Sequence, residues 1–141
     1  MKINIECIRD ILFTVEEETA YNKNFWYQDA NQDSKKWDDF SRLKAYSYDE
    51  VCYHLNQCNE NGYFVSHRQR TKPLTFWLKG GFMVQDLSPK GHEFISNIRE
   101  DTNWKKTKEK AKTMGSFALS SLEKIASNII VAQINNLING R

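Results

Sequence analysis

The side chains of this sequence best suited to a chemical task are polar residues on one predicted helix, 47–62, and basic residues in the segment just beyond it. The amide side chains of Asn and Gln can pair with adenine edges in the major groove of DNA. Arg and Lys side chains in a loop can neutralise backbone phosphates. The candidate contacts are Tyr53, Asn56, Gln57, Arg68, Arg70 and Lys72. We interpret this combination as a candidate DNA-binding surface.

A second group of basic residues lies in a predicted helix over residues 101–112, where the positive charge of five lysines is compensated mainly by Glu109. Such a run is most often a solvated helix face, although it also suits nucleic acid or an acidic protein. Lys105 and Lys108 are the candidate phosphate contacts in this helix. Residues 64–92 add five basic side chains and one acidic side chain, so an anionic partner is expected at the second half of the chain.

The charge of the predicted recognition helix argues against DNA binding. No Lys or Arg occurs from Ser47 to Gly62, whereas Asp49, Glu50 and Glu60 are acidic. Carboxylates in the first turn suit the helix dipole, but they would face phosphates unfavourably. The alternative is a module that uses the same fold to dock on another protein.

Two other pairs of polar residues are weaker candidates, one for a metal site and one for catalysis. His54 and Cys58 share one helix face at a spacing that suits zinc, but no further ligands occur at a matching spacing. His92 and Glu93 are accompanied by no nucleophile, phosphate-binding loop or paired carboxylate. We therefore predict no metal site, no cofactor and no catalytic residue.

The fold is predicted best by residues 47–65. Ser47 and Glu50 form a capping-box pattern at the start of a helix, and Gly62 ends it. Its apolar face consists of Val51, Leu55 and Cys58. A strand begins at once with Tyr63. A capped helix that ends at glycine and leads into a strand is typical of the third helix and wing of a winged helix.

Upstream, an apolar stripe predicts a first helix over residues 4–17, and the aromatic run 25–27 predicts a short strand or an aromatic plug. Residues 33–46 are compatible with a second helix or with an extended arm. The apolar face of that helix would consist of Trp37, Phe40 and Leu43. We favour the helix.

Downstream, residues 74–78 and 82–86 flank a Gly-Gly turn and predict a β-hairpin. Ser88-Pro89 predicts the start of another helix, with Ser as the N-cap and Pro at the first helical position. After the basic helix, Ser116 is the predicted cap of a last helix.

That last helix has an apolar face too wide for a small wing to cover, and it extends over about 22 residues, or roughly 33 Å. The predicted oligomerisation residues are Leu122, Ile125, Ile129, Ile130, Ile134 and Leu137. Its polar residues at 127, 128, 133, 135 and 136 carry no positive charge to meet lipid headgroups. A homodimer with coiled-coil-like packing is therefore favoured over a membrane contact.

Length and composition set the class of protein. The chain has 141 residues, which is the length of one domain. Its formal net charge is +2, so the protein as a whole has no strong electrostatic field. Its three cysteines lie inside apolar helical patterns, which predicts reduced, buried thiols. No signal peptide opens the sequence, and no apolar run of about 18 residues could span a bilayer. We expect a cytoplasmic protein.

Several segments resemble one family of small bacterial and prophage proteins, which is known as a domain of unknown function and placed among winged-helix folds. Residues 47–50, 53–55 and 60–63 resemble its pattern ySxEEIxYHLxxLxEAGLI. Residues 87–95 resemble LTxxGHEFL, and residues 98–108 resemble aIRdDxxWxKxK.

The resemblance covers Met1 to about Lys112. It implies a winged helix in a phage or bacterial setting, and it implies no activity. The sequence departs from the family pattern at Cys58, where Leu is usual, and at Asn61, where Ala is usual. It also has additional residues between the first helix and Ser47.

Together these features predict an α+β winged helix-turn-helix domain over residues 1–100 and a C-terminal helical extension over residues 101–141. The predicted function is DNA binding by a dimer that resembles a transcription regulator, without enzyme activity. The alternative is a protein-interaction module, an adaptor or inhibitor that docks on a host protein.

Overall fold

The described part of the chain forms five α-helices and five short strands. In the computed structural model, this part is residues 1–28, 40–65, 77–78 and 81–140. The helices are α1 (Ile5–Glu18), α2 (Tyr48–Glu60), α3 (Pro89–Asn97), α4 (Asp101–Met114) and α5 (Leu119–Ile138). The strands are β1 (Phe25–Gln28), β2 (Phe64–Val65), β3 (Trp77–Leu78), β4 (Gly81–Val84) and β5 (Asp86–Leu87). The α+β class predicted from the sequence is confirmed.

The strands form two small antiparallel sheets. In the first, β4 lies between β1 and β3, with Tyr27 opposite Phe82 and Leu78 opposite Gly81. In the second, β2 pairs with β5, with Phe64 opposite Leu87. The pairing of β3 with β4 confirms the predicted hairpin, although the turn at residues 79–80 lies outside the described residues.

The chain divides into two compact units, Met1–His92 and Glu93–Arg141, with the boundary inside α3. The core of the first unit is formed by the apolar stripes of α1 and α2 and by inward-facing residues of β1 and β4. Its buried side chains include Ile8, Ile11, Leu12, Val15, Val51, Leu55, Phe25, Tyr27, Phe82 and Val84. The apolar stripes that predicted α1 and α2 therefore mark the buried faces of these helices correctly.

The segment before α2 is not an α-helix where it is described. Residues 33–39 of the predicted second helix lie outside the described part, and Ser41–Leu43 forms only one turn of 3₁₀-helix. Phe40 and Leu43 are buried, as the apolar pattern predicts. The Phe40 ring lies 5.1 Å from that of Phe25, so aromatic packing rather than helix formation determines its position.

Two polar contacts fasten this segment to α1. The Arg42 guanidinium donates to both carboxylate oxygens of Glu17, with Nη2 2.7 Å from Oε2, and lies 4.6 Å from the centre of the Phe13 ring. The Tyr46 hydroxyl donates to the Asp10 carboxylate at 2.6 Å. Burial raises the pKa of Asp10, and the hydrogen bond from Tyr46 opposes that shift. The start of α2 is thereby held against α1.

His54 joins α1 to α2 inside the first unit. Its buried ring accepts a hydrogen bond at Nε2 from the backbone N–H of Asn4 at 2.7 Å, and its Nδ1 lies 2.7 Å from the carbonyl oxygen of Glu50. A carbonyl can only accept, so Nδ1 carries the proton and the imidazole is neutral. The side chain of Asn4 caps α1 and donates to Glu50 at 3.2 Å. Glu50 therefore contacts α1, whereas Ser47 caps α2 as predicted.

A second joint connects the end of α2 to the start of α3. Gly62 adopts a left-handed conformation, and the N–H of Tyr63 donates to the carbonyl of Cys58, which completes a Schellman ending. The Ser88 hydroxyl donates to the carbonyl of Gly62 and accepts from the N–H of Gly91 at 3.0 Å. Ser88 also donates from its backbone to Tyr63 at 2.8 Å.

Gly91 is required by this close approach. A Cβ at this position would overlap the backbone carbonyl oxygen of Tyr63, which cannot move without disturbing the joint. Lys90 extends the contact by donating to the carbonyl of Asn61 at 2.8 Å. The Ser-Pro-Lys-Gly run is thus a helix-to-helix connector.

The second unit contains a helical hairpin of α4 and α5. Its first helix, α4, ends at the C-cap Gly115. Trp104 and Thr107 of α4 are buried, as are Leu122 and Ala126 of α5. The hairpin also buries Asn103, Ala111, Leu119 and Ile125. The Gln133 amide donates to Oδ1 of Asn103 at 2.8 Å, which fixes the register of the two helices.

The start of α5 differs from the prediction. Its N-cap is Ala118, and the predicted cap Ser116 lies before the helix, with its hydroxyl 3.1 Å from that of Ser121. The left-handed turn at Gly115 places Ser116 too early to satisfy the first helical N–H groups.

Within the described residues, no helix combines the length and apolar character needed to cross a membrane.

We predict that His54→Phe lowers the free energy of unfolding by about 1–3 kcal/mol, because the N–H of Asn4 loses its acceptor while the ring keeps its volume. Urea unfolding followed by circular dichroism measures this change. Gln57→Ala on the same helix is the matched control and should shift stability by less than about 0.5 kcal/mol. Equal stability of His54→Phe and the wild type would contradict the role of the joint.

Gly91→Ala should also lower stability, by about 1–3 kcal/mol, because the new methyl group displaces the Tyr63 carbonyl. Ser96→Ala, at an exposed site of the same helix, controls for helix propensity and should be neutral or slightly stabilising. Thermal unfolding of both variants distinguishes the two effects. A Gly91→Ala protein as stable as Ser96→Ala would show that the contact tolerates a side chain.

Candidate nucleic-acid interface

The outward face of α2 carries both predicted DNA contacts and carboxylates. Tyr53, Asn56 and Gln57 are half-buried, so their polar atoms are only partly accessible. Residues 49, 53, 56 and 60 follow a spacing of four, three and four, which places them along one line of the helix. Asp49 and Glu60 are exposed and lie at the two ends of this line. Any partner that approaches Tyr53 and Asn56 therefore meets negative charge on both sides.

His54, Cys7 and Cys58 are buried in this arrangement. Both ring nitrogens of His54 are engaged within the protein. Burial raises the pKa of the Cys7 and Cys58 thiols, because it disfavours the charged thiolate. Among the described residues, no three His, Cys, Asp or Glu side chains are grouped so that they could hold a metal ion.

The predicted wing contacts Arg68, Arg70 and Lys72 lie outside the described residues. They remain predictions from the sequence. The hairpin of β3 and β4 and the strand β2 border the segment that contains them.

The five lysines of α4 lie on two sides of its buried face. Successive residues of an α-helix are about 100° apart, so Lys105, Lys108 and Lys112 fall on one side, and Lys106 and Lys110 fall on the other. Four of these side chains are exposed, and Lys108 is half-buried with its ammonium 5.4 Å from the centre of the Trp104 ring. We name the first set, Lys105, Lys108 and Lys112, the lysine stripe.

The lysine stripe has a rigid base. Trp104 is 4% exposed, and Oδ1 of Asn103 accepts a hydrogen bond from the Gln133 amide of α5 at 2.8 Å, so α4 is anchored along its inner side. The helix also carries the carboxylates Asp101 and Glu109, and Asp101 falls on the same side as the lysine stripe, one turn before Lys105. Five lysines against two carboxylates leave α4 with a positive charge, and the stripe presents three ammonium groups from two turns of one ordered element.

The predicted oligomerisation residues fall into two groups. Leu122 and Ile125 are buried within the chain, because α4 covers this half of the apolar face of α5. Ile129 and Ile130 are half-buried, and Ile134 and Leu137 are 47% and 76% exposed. Residues 130, 134 and 137 share one face at helical spacing, and we name Ile130, Ile134 and Leu137 the apolar stripe of α5.

His92, which the sequence did not assign to catalysis, lies beside Asp86. Its Nε2 is 3.4 Å from Oδ1 of Asp86, and both side chains are about half exposed, at 48% and 46%. The surface around the pair includes Glu16, Thr19, Tyr21 and Gln85. The pair fastens the first turn of α3 to β5.

Some positioning residues were not singled out from the sequence. Asn4 is an N-cap, and its place directly before an apolar periodic run is the signal that could have identified it. The bridging role of Ser88 has no such signal, because it depends on the backbone of Gly62, which is distant in the sequence.

Comparison with known proteins gives one match. The model of the family described as hypothetical protein DUF2513 matches residues 2–118. No curated protein and no solved structure matches the chain. Because the match covers most of the sequence, including both helix joints, the chain belongs to the DUF2513 family, a domain of unknown function.

Proposed function

We propose that this protein is a cytoplasmic winged-helix protein of a phage or bacterial regulatory system that binds DNA as a dimer and has no enzyme activity. A winged-helix assignment is supported by the passage from α2 through Gly62 into β2. It is also supported by the sheet order, in which the hairpin of β3 and β4 pairs through β4 with β1, the strand that follows α1.

The observation that carries DNA binding is the lysine stripe. Lys105, Lys108 and Lys112 repeat along one side of an anchored helix, at a spacing that lets them contact neighbouring phosphates together. Contacts of this kind supply affinity without sequence preference, and base recognition would come from the half-buried amides Asn56 and Gln57. The segment of Arg68, Arg70 and Lys72 would add further phosphate contacts.

A protein-interaction module is the second candidate, and the outward face of α2 favours it. Asp49 and Glu60 bracket Tyr53 and Asn56 with negative charge, which repels DNA at the helix that a winged helix normally inserts into the major groove. A host protein with a basic, partly apolar surface would fit this face. The two candidates differ in the charge that carries binding, since DNA depends on the lysine stripe of α4 and the host protein on the acidic residues of α2.

Replacing Lys105, Lys108 and Lys112 by Ala should weaken binding to duplex DNA and reduce the salt dependence. Loss of three phosphate contacts lowers the slope of log K against log salt by about 3. Fluorescence anisotropy of a labelled duplex over a range of salt concentrations measures the slope. The matched control replaces Lys106, Lys110 and Lys124 by Ala, which removes the same charge from other faces and should change the slope less.

Two results would contradict the DNA proposal. One is a wild-type protein that does not bind duplex DNA at about 50 mM salt, where phosphate contacts are strong. The other is an equal loss in the two triple variants, since that would reflect net charge rather than the lysine stripe.

Dimer formation is expected to depend on the apolar stripe of α5. Ile134→Glu should convert a dimer into a monomer, because a carboxylate would be buried between the two copies. Asn135→Glu introduces the same charge at an exposed position beside the stripe and should leave the dimer intact. Light scattering after size exclusion gives the mass. A monomeric wild type would refute the dimer.

A further inference from the structure

A groove of about 660 Å³ lies along α4 and α5 in the second unit. Its apolar lining comes from Met114, Ile125, Ile129 and Ala132. Ile125 is almost fully buried, whereas Met114 is 62% exposed, so the groove has a closed base and an open side. We name this feature the α4–α5 groove.

Three ammonium groups border the groove. Lys106 and Lys110 of α4 are one turn apart, and Lys124 belongs to α5. All three side chains are exposed, and none of the residues that line the groove is acidic. An apolar base bordered by cations fits a partner that has an apolar face and negatively charged flanks. None of these lysines belongs to the lysine stripe.

The shape of the groove fits a helix. Ser121, Ile125, Asn128 and Ala132 all line it and follow a spacing of four, three and four along α5. This line is about 16 Å long, or three turns of helix. Small residues at its two ends, Ser121 and Ala132, allow the close approach that packing of helices side by side requires. A further helix packed along this line would contact α4 and α5 together, as in a three-helix bundle.

We propose that the α4–α5 groove binds an acidic amphipathic helix of a partner protein. Its apolar residues would contact Ile125, Ile129 and Ala132, and its Asp or Glu side chains would pair with the three lysines. DNA would gain nothing from the apolar base. In the described part of the chain, α1 and α2 are the helices with several carboxylates, and the apolar faces of both are already buried in the first unit. A second copy therefore does not supply this occupant from its described residues.

The proposal is tested with a designed probe. A fluorescein-labelled helical peptide of about 18 residues carries Leu at spacings of four, three and four and Glu on both flanks, and it is titrated with the full chain. We expect saturable binding that weakens with salt. A peptide with Lys in place of every Glu should not bind, and neither should a peptide of the same composition with the Leu stripe scrambled.

Variants of the full chain locate the site. Replacing Lys106, Lys110 and Lys124 by Ala should lower affinity for the peptide about tenfold or more, because three charge pairs are lost. Replacing the three residues of the lysine stripe should leave peptide affinity unchanged. Ala132→Trp, at an exposed position, should abolish binding by filling the groove, with the thermal unfolding midpoint showing that the protein stays folded.

Four results would overturn the proposal. They are failure of the acidic peptide to bind, equal binding of the Lys or scrambled peptide, unchanged affinity in Ala132→Trp, and binding of laurate in place of the peptide. The first three would show that the groove does not recognise an acidic amphipathic helix, and the last would make it a site for small amphiphilic anions. None of them bears on DNA binding, which depends on other lysines.

Discussion

The contact on which the rest of the first unit depends is the buried imidazole of His54. It accepts from the first turn of α1 through Asn4 and donates along its own helix to Glu50, and it can do both only when neutral. The N–H of Asn4 would otherwise be buried without its acceptor. Because α2 leads directly into β2, the orientation of α2 sets where the second sheet begins. One side chain thus couples two helices and a sheet.

Two of the three motifs that give the sequence its family resemblance serve such joints. The Tyr-His-Leu motif supplies His54, and the Ser-Pro-Lys-Gly-His motif supplies Ser88 and Gly91, which dock the start of α3 on the end of α2. These residues are occupied by contacts within the protein. The proposed recognition of a partner therefore rests on other side chains, above all on the lysines of α4, three of which lie in the third motif, residues 98–108. The buried face of that helix separates these lysines into two sets.

The sequence predicted local structure well and contacts between elements less well. The stripe Val51, Leu55 and Cys58 and the ending at Gly62 depend on residues close in the sequence, and periodicity and turn chemistry identify them. Glu50 was expected to complete a capping box, but it contacts Asn4, because a partner distant in the sequence competes for its carboxylate. Likewise, the apolar width of α5 suggested one dimer face, whereas the hairpin with α4 covers Leu122 and Ile125. The groove bordered by Lys124 could not be predicted, since it exists only once α4 and α5 pack.

The most direct test of the proposed division of the α4 surface is an NMR titration of the wild-type protein with duplex DNA, observed at the lysine side chains. We expect DNA to shift the signals of Lys105, Lys108 and Lys112 and to leave those of Lys106, Lys110 and Lys124 nearly unchanged. Shifts centred on the groove lysines, or no lysine shifts in the presence of excess DNA, would contradict it.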